Sequence, residues 1–154
     1  MQKVLLALDA AKGSDECVKA CVRIFATAPP KCVILLHVQQ LGGGPTLMHD
    51  RMSDAEIETL KEELDRSEAL EKLQARSQAL LESHRKKLQR HGIGATKMIV
   101  RTGHVAEEIL NTARDEGVEL IIIGNTRGAL AKFMMGDLIK AVVNGAEVPV
   151  LLVR

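Results

Sequence analysis

The chain has no Trp and no Tyr, and only two Phe, Phe25 and Phe133, among its 154 residues. A core built from it must therefore be aliphatic. There is also no row of aromatic faces on which unpaired bases could stack, which argues against single-stranded nucleic-acid binding. Charge of one sign is equally scarce. Lys and Arg number 21 against 20 Asp and Glu, a net charge of +1, so no global field recruits DNA or an anionic membrane. No apolar run approaches the ~20 residues that a membrane span needs. The run Val4 to Leu8 is too short for a signal-peptide core and stops at Asp9. These absences predict a soluble, cytoplasmic protein with neither nucleic-acid nor membrane partners. Cysteine is sparse as well. Cys17, Cys21 and Cys32 fit small buried hydrophobes in a reducing compartment, and no Cys/His set has metal-ligand spacing.

What is present is a set of short, β-branched apolar runs separated by helical patterns. Lys3 to Leu8, Cys32 to Val38, Ala95 to Arg101, Glu119 to Ile123 and Val148 to Val153 read as strands. Helices are expected from a cap at Ser14 or Asp15 to about Thr27, from Ser53 to about Arg90, from Val105 to about Glu116, and near Asp137 to Asn144. His91-Gly92-Ile-Gly94 and Gly117 read as helix terminators. Strands alternating with helices make βαβ units with right-handed crossovers. The fold class is α/β, one domain over residues 1–154, with an open five-stranded parallel sheet and helices on both faces.

The span 53–90 does not fit that body as one straight helix. At ~1.5 Å per residue it would reach about 57 Å, against a globule about 38 Å across. Its apolar stripe also breaks: Ile57, Leu60 and Leu64 keep helical spacing, then Ser67 and Glu71 interrupt it. A bend near Asp65 to Ala69 is expected, with a helical insertion at about 53–72. Residues 53–72 carry eight acids and three bases, whereas 73–91 carry one acid and five bases. That contrast suits either a solvated face or an acidic arm that packs on a protein partner or covers a cleft.

The last 36 residues carry the functional signal. An apolar strand runs into Gly124-Asn-Thr-Arg-Gly128, and Gly136 stands ahead of the expected last helix. Glycine lets backbone approach a ligand, and the first N–H groups of a helix have no intrahelical partner. The pattern suits an anion, above all a nucleotide phosphate. In a parallel sheet such a ligand sits beyond the carboxyl ends of the strands, where strand order reverses. Asp9, Val38 to Gly44, Thr102 to His104 and Gly124 to Gly128 all fall at those ends. Asp9 suits either a sugar hydroxyl or its own loop N–H groups. Arg127 and His104 suit a phosphate or solvent, and His37 reads as a satisfied core residue.

In order and spacing these segments resemble the universal stress protein family over nearly the whole chain. The matching stretches are Lys3-Val-Leu-Leu-Ala-Leu-Asp9, Leu35-Leu-His-Val38, Gly103-His-Val-Ala-Glu-Glu-Ile-Leu110, Glu119 to Gly128 and Val148-Pro-Val-Leu-Leu-Val153. The resemblance implies a Rossmann-like fold of the adenine nucleotide alpha hydrolase kind, with strand order 3-2-1-4-5. It also implies ATP or another adenine nucleotide as ligand, possible Mg²⁺, and a homodimer joined through the C-terminal strand. Asp9 and Val38 would meet the adenosine end. Gly124, Arg127 and Gly128 would surround ribose and phosphates, and Gly136 would offer N–H groups to the phosphates.

Three departures bear on that assignment. Gly124 and Gly128 are separated by three residues where the family's ATP-binding pattern has two, and Gly128 and Gly136 by seven where it has nine. Asp137 stands where nucleotide-binding members place a hydroxyl. A carboxylate only accepts hydrogen bonds. Two like charges ~4 Å apart at an effective dielectric of ~20 repel by ~4 kcal/mol. Asp137 could instead reach phosphate through Mg²⁺, or cap the last helix.

Other uses of the wrap fit less well. Asp9 stands alone where a phosphoaccepting receiver clusters acids. Ala10 to Gly13 lacks the hydroxyls of a flavin loop. No nucleophile–base constellation is apparent, so the chain reads as a binder rather than an enzyme, slow ATP hydrolysis aside. Two functions follow as expectations: a dimeric nucleotide sensor in the stress response, or a ligand-free dimeric scaffold that recruits proteins.

Overall fold

The computed structural model describes residues 1–39, 55–56, 68–124 and 129–154. Five parallel strands form one sheet in the order β3-β2-β1-β4-β5. The strands are β1 (Lys3–Ala7), β2 (Cys32–Gln39), β3 (Thr96–Thr102), β4 (Leu120–Gly124) and β5 (Val150–Val153). The connecting helices are α1 (Lys12–Ile24), α2 (Glu68–Arg90), α3 (Val105–Glu116) and α4 (Ala129–Gly145).

Side chains on a strand alternate between faces, so each apolar run feeds two cores. On one face Val4, Leu6 and Leu35 pack with Cys17 and Cys21 of α1, with Phe25 just past its end, and with Leu81 and Leu88 of α2. On the other face Leu5, Ile34 and Ile121 pack with Ile109 of α3 and Val142 of α4. Among the described side chains Phe25 is the one aromatic in either core, and most of the rest are Leu, Ile and Val, as the composition requires. Each fully buried Leu or Ile contributes about 2–3 kcal/mol of transfer free energy.

Two expected helix stops hold. Gly117 takes φ 63° and Gly92 takes φ 82°. The N–H groups that follow them, from Val118 and Ile93, return to Ala113 O and Leu88 O, each at 3.0 Å. Such left-handed caps satisfy carbonyls that the helix end would strand.

Several boundaries differ from expectation. α1 begins at Lys12, with Ala11 at its N-cap and no side-chain cap bond. Neither Ser14 nor Asp15 caps it. α1 ends at Ile24 rather than near Thr27. α4 begins at Ala129, about two turns ahead of the expected Asp137. The expected bend near 65–69, and most of the insertion at 53–72, lie outside the described residues.

Candidate functional site

Strand order reverses between β1 and β4. Two chain directions part there: β1 leads through α1 to β2 on one side, and β4 leads through α4 to β5 on the other. Register shows which residues reach this edge. Ala7 of β1 is level with Leu36 of β2 and with Ile123 of β4. Asp9, Val38 and Gly124 follow those positions by one or two residues. Three of the predicted site residues therefore lie within one residue of a common level, Val38 and Gly124 near the ends of β2 and β4 and Asp9 just past β1.

Asp9 heads the loop between β1 and α1, and it is exposed. Its Oδ1 accepts from the Ala11 N–H at 2.8 Å and from the Ser14 hydroxyl at 2.9 Å. Its own N–H donates to Ser14 Oγ at 2.7 Å. One carboxylate oxygen thus holds the loop, which is the second of the two roles expected of it. Among the described residues Oδ2 accepts no hydrogen bond. The loop is tied to β2 as well: Leu8 N–H donates to Leu36 O at 2.8 Å, and His37 Nδ1 lies 2.8 Å from Leu8 O. His37 is the satisfied residue the strand pattern predicts.

Val38 is half-buried, packs toward the α3 and α4 face, and is level with Arg101 of β3. Gly124 is buried. A Cβ on it would lie 2.2 Å from Gly13 O and 2.5 Å from Gly13 C, so the absence of a side chain is explained by α1 crossing β4. Gly13 was not singled out in the sequence; its signal is that it faces the strand-ending glycine across a helix start.

Gly136 and Asp137 do not stand at a helix start as expected. Both are exposed and lie about two turns inside α4. A backbone N–H there bonds within the helix, so Gly136 does not head a helix, and Asp137 caps none. The cause is local propensity: Ala129 to Met135 are mostly good helix formers, and one glycine costs a helix only about 1 kcal/mol. Arg127 and Gly128 lie outside the described residues. His104 is the N-cap of α3, at the same edge of the sheet, and its side chain makes no cap bond.

A second feature of this edge is buried. Gln39, the last residue of β2, is 3 % exposed. Its Nε2 donates to Ser77 Oγ at 3.0 Å and its Oε1 accepts from Thr102 Oγ1 at 3.1 Å. Ser77 donates onward to Leu73 O at 2.9 Å. The sequence carried a signal for this. Ser77 and His84 occupy apolar-stripe positions between Leu73, Leu81 and Leu88, and both are buried.

Two of the three thiols, Cys17 and Cys21, are buried structural groups. Burial pushes Cys17 and Cys21 up to about 12, so both stay protonated. Among the described residues no group of three or more His, Cys, Asp or Glu could hold a metal ion. None of their helices is long and apolar enough to cross a membrane.

The geometry has counterparts among known proteins. Universal stress protein YxiE of Bacillus subtilis (strain 168) is 38% identical over 77 residues, 49% of this chain. That match spans about half of the relative, 51% of its length. The solved structure of hypothetical protein MJ0577 is 29% identical, with a TM-score of 0.74, covering 99% of this chain and 94% of that one. The fold is also that of a universal stress protein family protein from Arabidopsis thaliana, At3g01520, solved with AMP bound. It is 18% identical with a TM-score of 0.66, and the alignment covers 99% of this chain and 91% of that one. The family model for universal stress proteins matches residues 1–154, and the chain belongs to the universal stress protein family.

Proposed function

We propose that this chain binds an adenine nucleotide at the carboxyl edge of its sheet and acts as a dimeric sensor in the stress response. The observation that carries this reading is the convergence of Asp9, Val38 and Gly124 where strand order reverses, the place where parallel sheets take ligands. The AMP-bound Arabidopsis relative of the same fold supports adenine as the base.

The described residues fit the adenosine end. Asp9 is exposed and uses only Oδ1 for its loop, leaving Oδ2 to accept from ribose hydroxyls. Backbone groups of Val38 would meet the base. The phosphate end has less support, because Gly136 sits inside α4 and offers no helix-start N–H groups. The same observation favours a second reading, in which the chain is a ligand-free scaffold of its family. Mg²⁺ and triphosphate belong to the first reading, and a protein-recruiting arm at 53–72 suits both. In either case the chain is a binder rather than an enzyme.

Isothermal titration with AMP and ATP, each with and without Mg²⁺, separates the readings. Wild type should give heat with AMP, and Asp9→Ala should abolish it. No heat from wild type with either nucleotide rules out the sensor. Binding by Asp137→Ser alone supports the scaffold.

We also propose that β5 is the dimer seam. Among the described residues it pairs only with β4, which leaves its other edge open for a partner strand. Light scattering at micromolar concentration should give twice the chain mass. A monomer would contradict this.

A further inference from the structure

We propose that Gln39 is a positioning residue that sets adenine selectivity, held in place by Thr102 and Ser77; this rests on the nucleotide reading above. The Gln39 amide is buried and touches three elements at once. Thr102 comes from β3, Ser77 from α2, and Gln39 itself ends β2. The Gln39 carbonyl also accepts from the Gly103 N–H at 3.4 Å.

The direction of this chain of bonds is determined by its last acceptor. Leu73 O can only accept, so the Ser77 hydroxyl donates to it and presents a lone pair to Gln39. Nε2 must then face Ser77, and Oε1 must face the Thr102 hydroxyl. The amide has one orientation, and Gln39 is tied at its side chain by Ser77 and Thr102 and at its backbone oxygen by Gly103.

A buried amide is costly unless fully bonded, and an apolar residue of like volume would pack here at no such cost. The network therefore contributes geometry rather than net stability. Geometry is what a base edge demands. Adenine and guanine exchange donor for acceptor at the same ring position, an amino group against a carbonyl oxygen. A backbone donor and acceptor held at one height accept the first and leave an unpaired polar group against the second. A site of that kind discriminates strongly, whereas one free to tilt does not. Gln39 never touches the base in this account. It acts through the adjoining Val38 peptide.

The test is titration of ATP and GTP, with Mg²⁺, into wild type and Gln39→Met, at a temperature where thermal melts show both folded. Wild type should prefer ATP by about tenfold or more, a difference of at least ~1.4 kcal/mol. In Gln39→Met the ratio should fall close to one, through weaker ATP binding with GTP affinity nearly unchanged. Thr102→Val, isosteric and β-branched, removes a single bond and should give an intermediate ratio; it also serves if Gln39→Met does not fold. A folded variant that keeps the wild-type ratio, or loses ATP and GTP affinity equally, overturns the positioning role while leaving nucleotide binding intact. No binding by wild type of ATP or GTP, nor of AMP or GMP in their place, overturns both; AMP and GMP carry the same ratio test where the triphosphates do not bind.

Discussion

Gly124 and Gly13 stand back to back: a Cβ on the last residue of β4 would fall 2.2 Å from the carbonyl oxygen of the second residue of α1. No rotamer relieves that overlap, because both partners are backbone. The pair sets how closely α1 can lie on β4, and so where the α1 start stands relative to Asp9.

Gly124→Ala should destabilise the fold by about 2–3 kcal/mol, at the upper end of overpacking costs. For a domain this size that lowers the melting temperature by about 5–10 °C. Gly136→Ala should do the reverse. Nothing lies within 4 Å of its added Cβ, so the helix gains about 1 kcal/mol. Thermal melts of the two variants should move in opposite directions. A loss of stability in Gly136→Ala would mean that α4 does not run through that residue.

Ser14→Ala removes two bonds at once, the acceptor for the Asp9 N–H and the donor to Asp9 Oδ1. Ser14 is buried, so the orphaned groups do not regain water fully. A loss of about 1–2 kcal/mol is expected in urea unfolding. If Asp9 holds ribose, the same variant should also weaken nucleotide binding, because the carboxylate loses one of its two fixed contacts. Unchanged stability would show that the loop bonds are exchanged freely with solvent.

His84 makes stability depend on pH. Its ring is buried, Nδ1 has no hydrogen-bond partner among the described residues, and Asp15 Oδ1 lies 3.8 Å away. Burial is the main cause that holds the imidazole below its ordinary value, helped by Lys87 and opposed by Asp15 and Asp9. The fold thus favours neutral His84. Its contribution is fully present above about pH 6.5, the ordinary value, and is lost as pH falls through the lower folded value. Asp15, lowered chiefly by its hydrogen bond from Lys87, acts only below the ordinary carboxylate value of 3.8. Urea midpoints should therefore fall as pH drops below 6.5, and His84→Gln should flatten that fall. An equally steep fall in His84→Gln would assign the slope to other groups.

The strands were legible because each is a short β-branched run, and βαβ alternation made the sheet parallel; their order came from the family resemblance. Asp9 and Val38 were legible as site candidates by their place at strand ends. Gly136 was misread because a glycine ahead of an acidic residue looks like a helix start, while the helix formers before it outweigh one glycine. The Gly13–Gly124 contact joins residues far apart in the chain, and no local pattern announces it. Gln39 and Ser77 were partly legible, as polar residues standing where an apolar stripe or strand should continue. Their partnership emerges only when β2, β3 and α2 are brought together.

The central claim is that an adenine nucleotide sits at the carboxyl edge beside Asp9 and Val38. Amide shifts of the ¹⁵N-labelled protein during titration with AMP test it most directly. The account predicts saturable shifts at Asp9, Val38, Gln39 and Gly124, with Gln2, Cys32 and Glu119 at the opposite edge unmoved. Shifts confined to the opposite edge, or none at millimolar AMP, would contradict it.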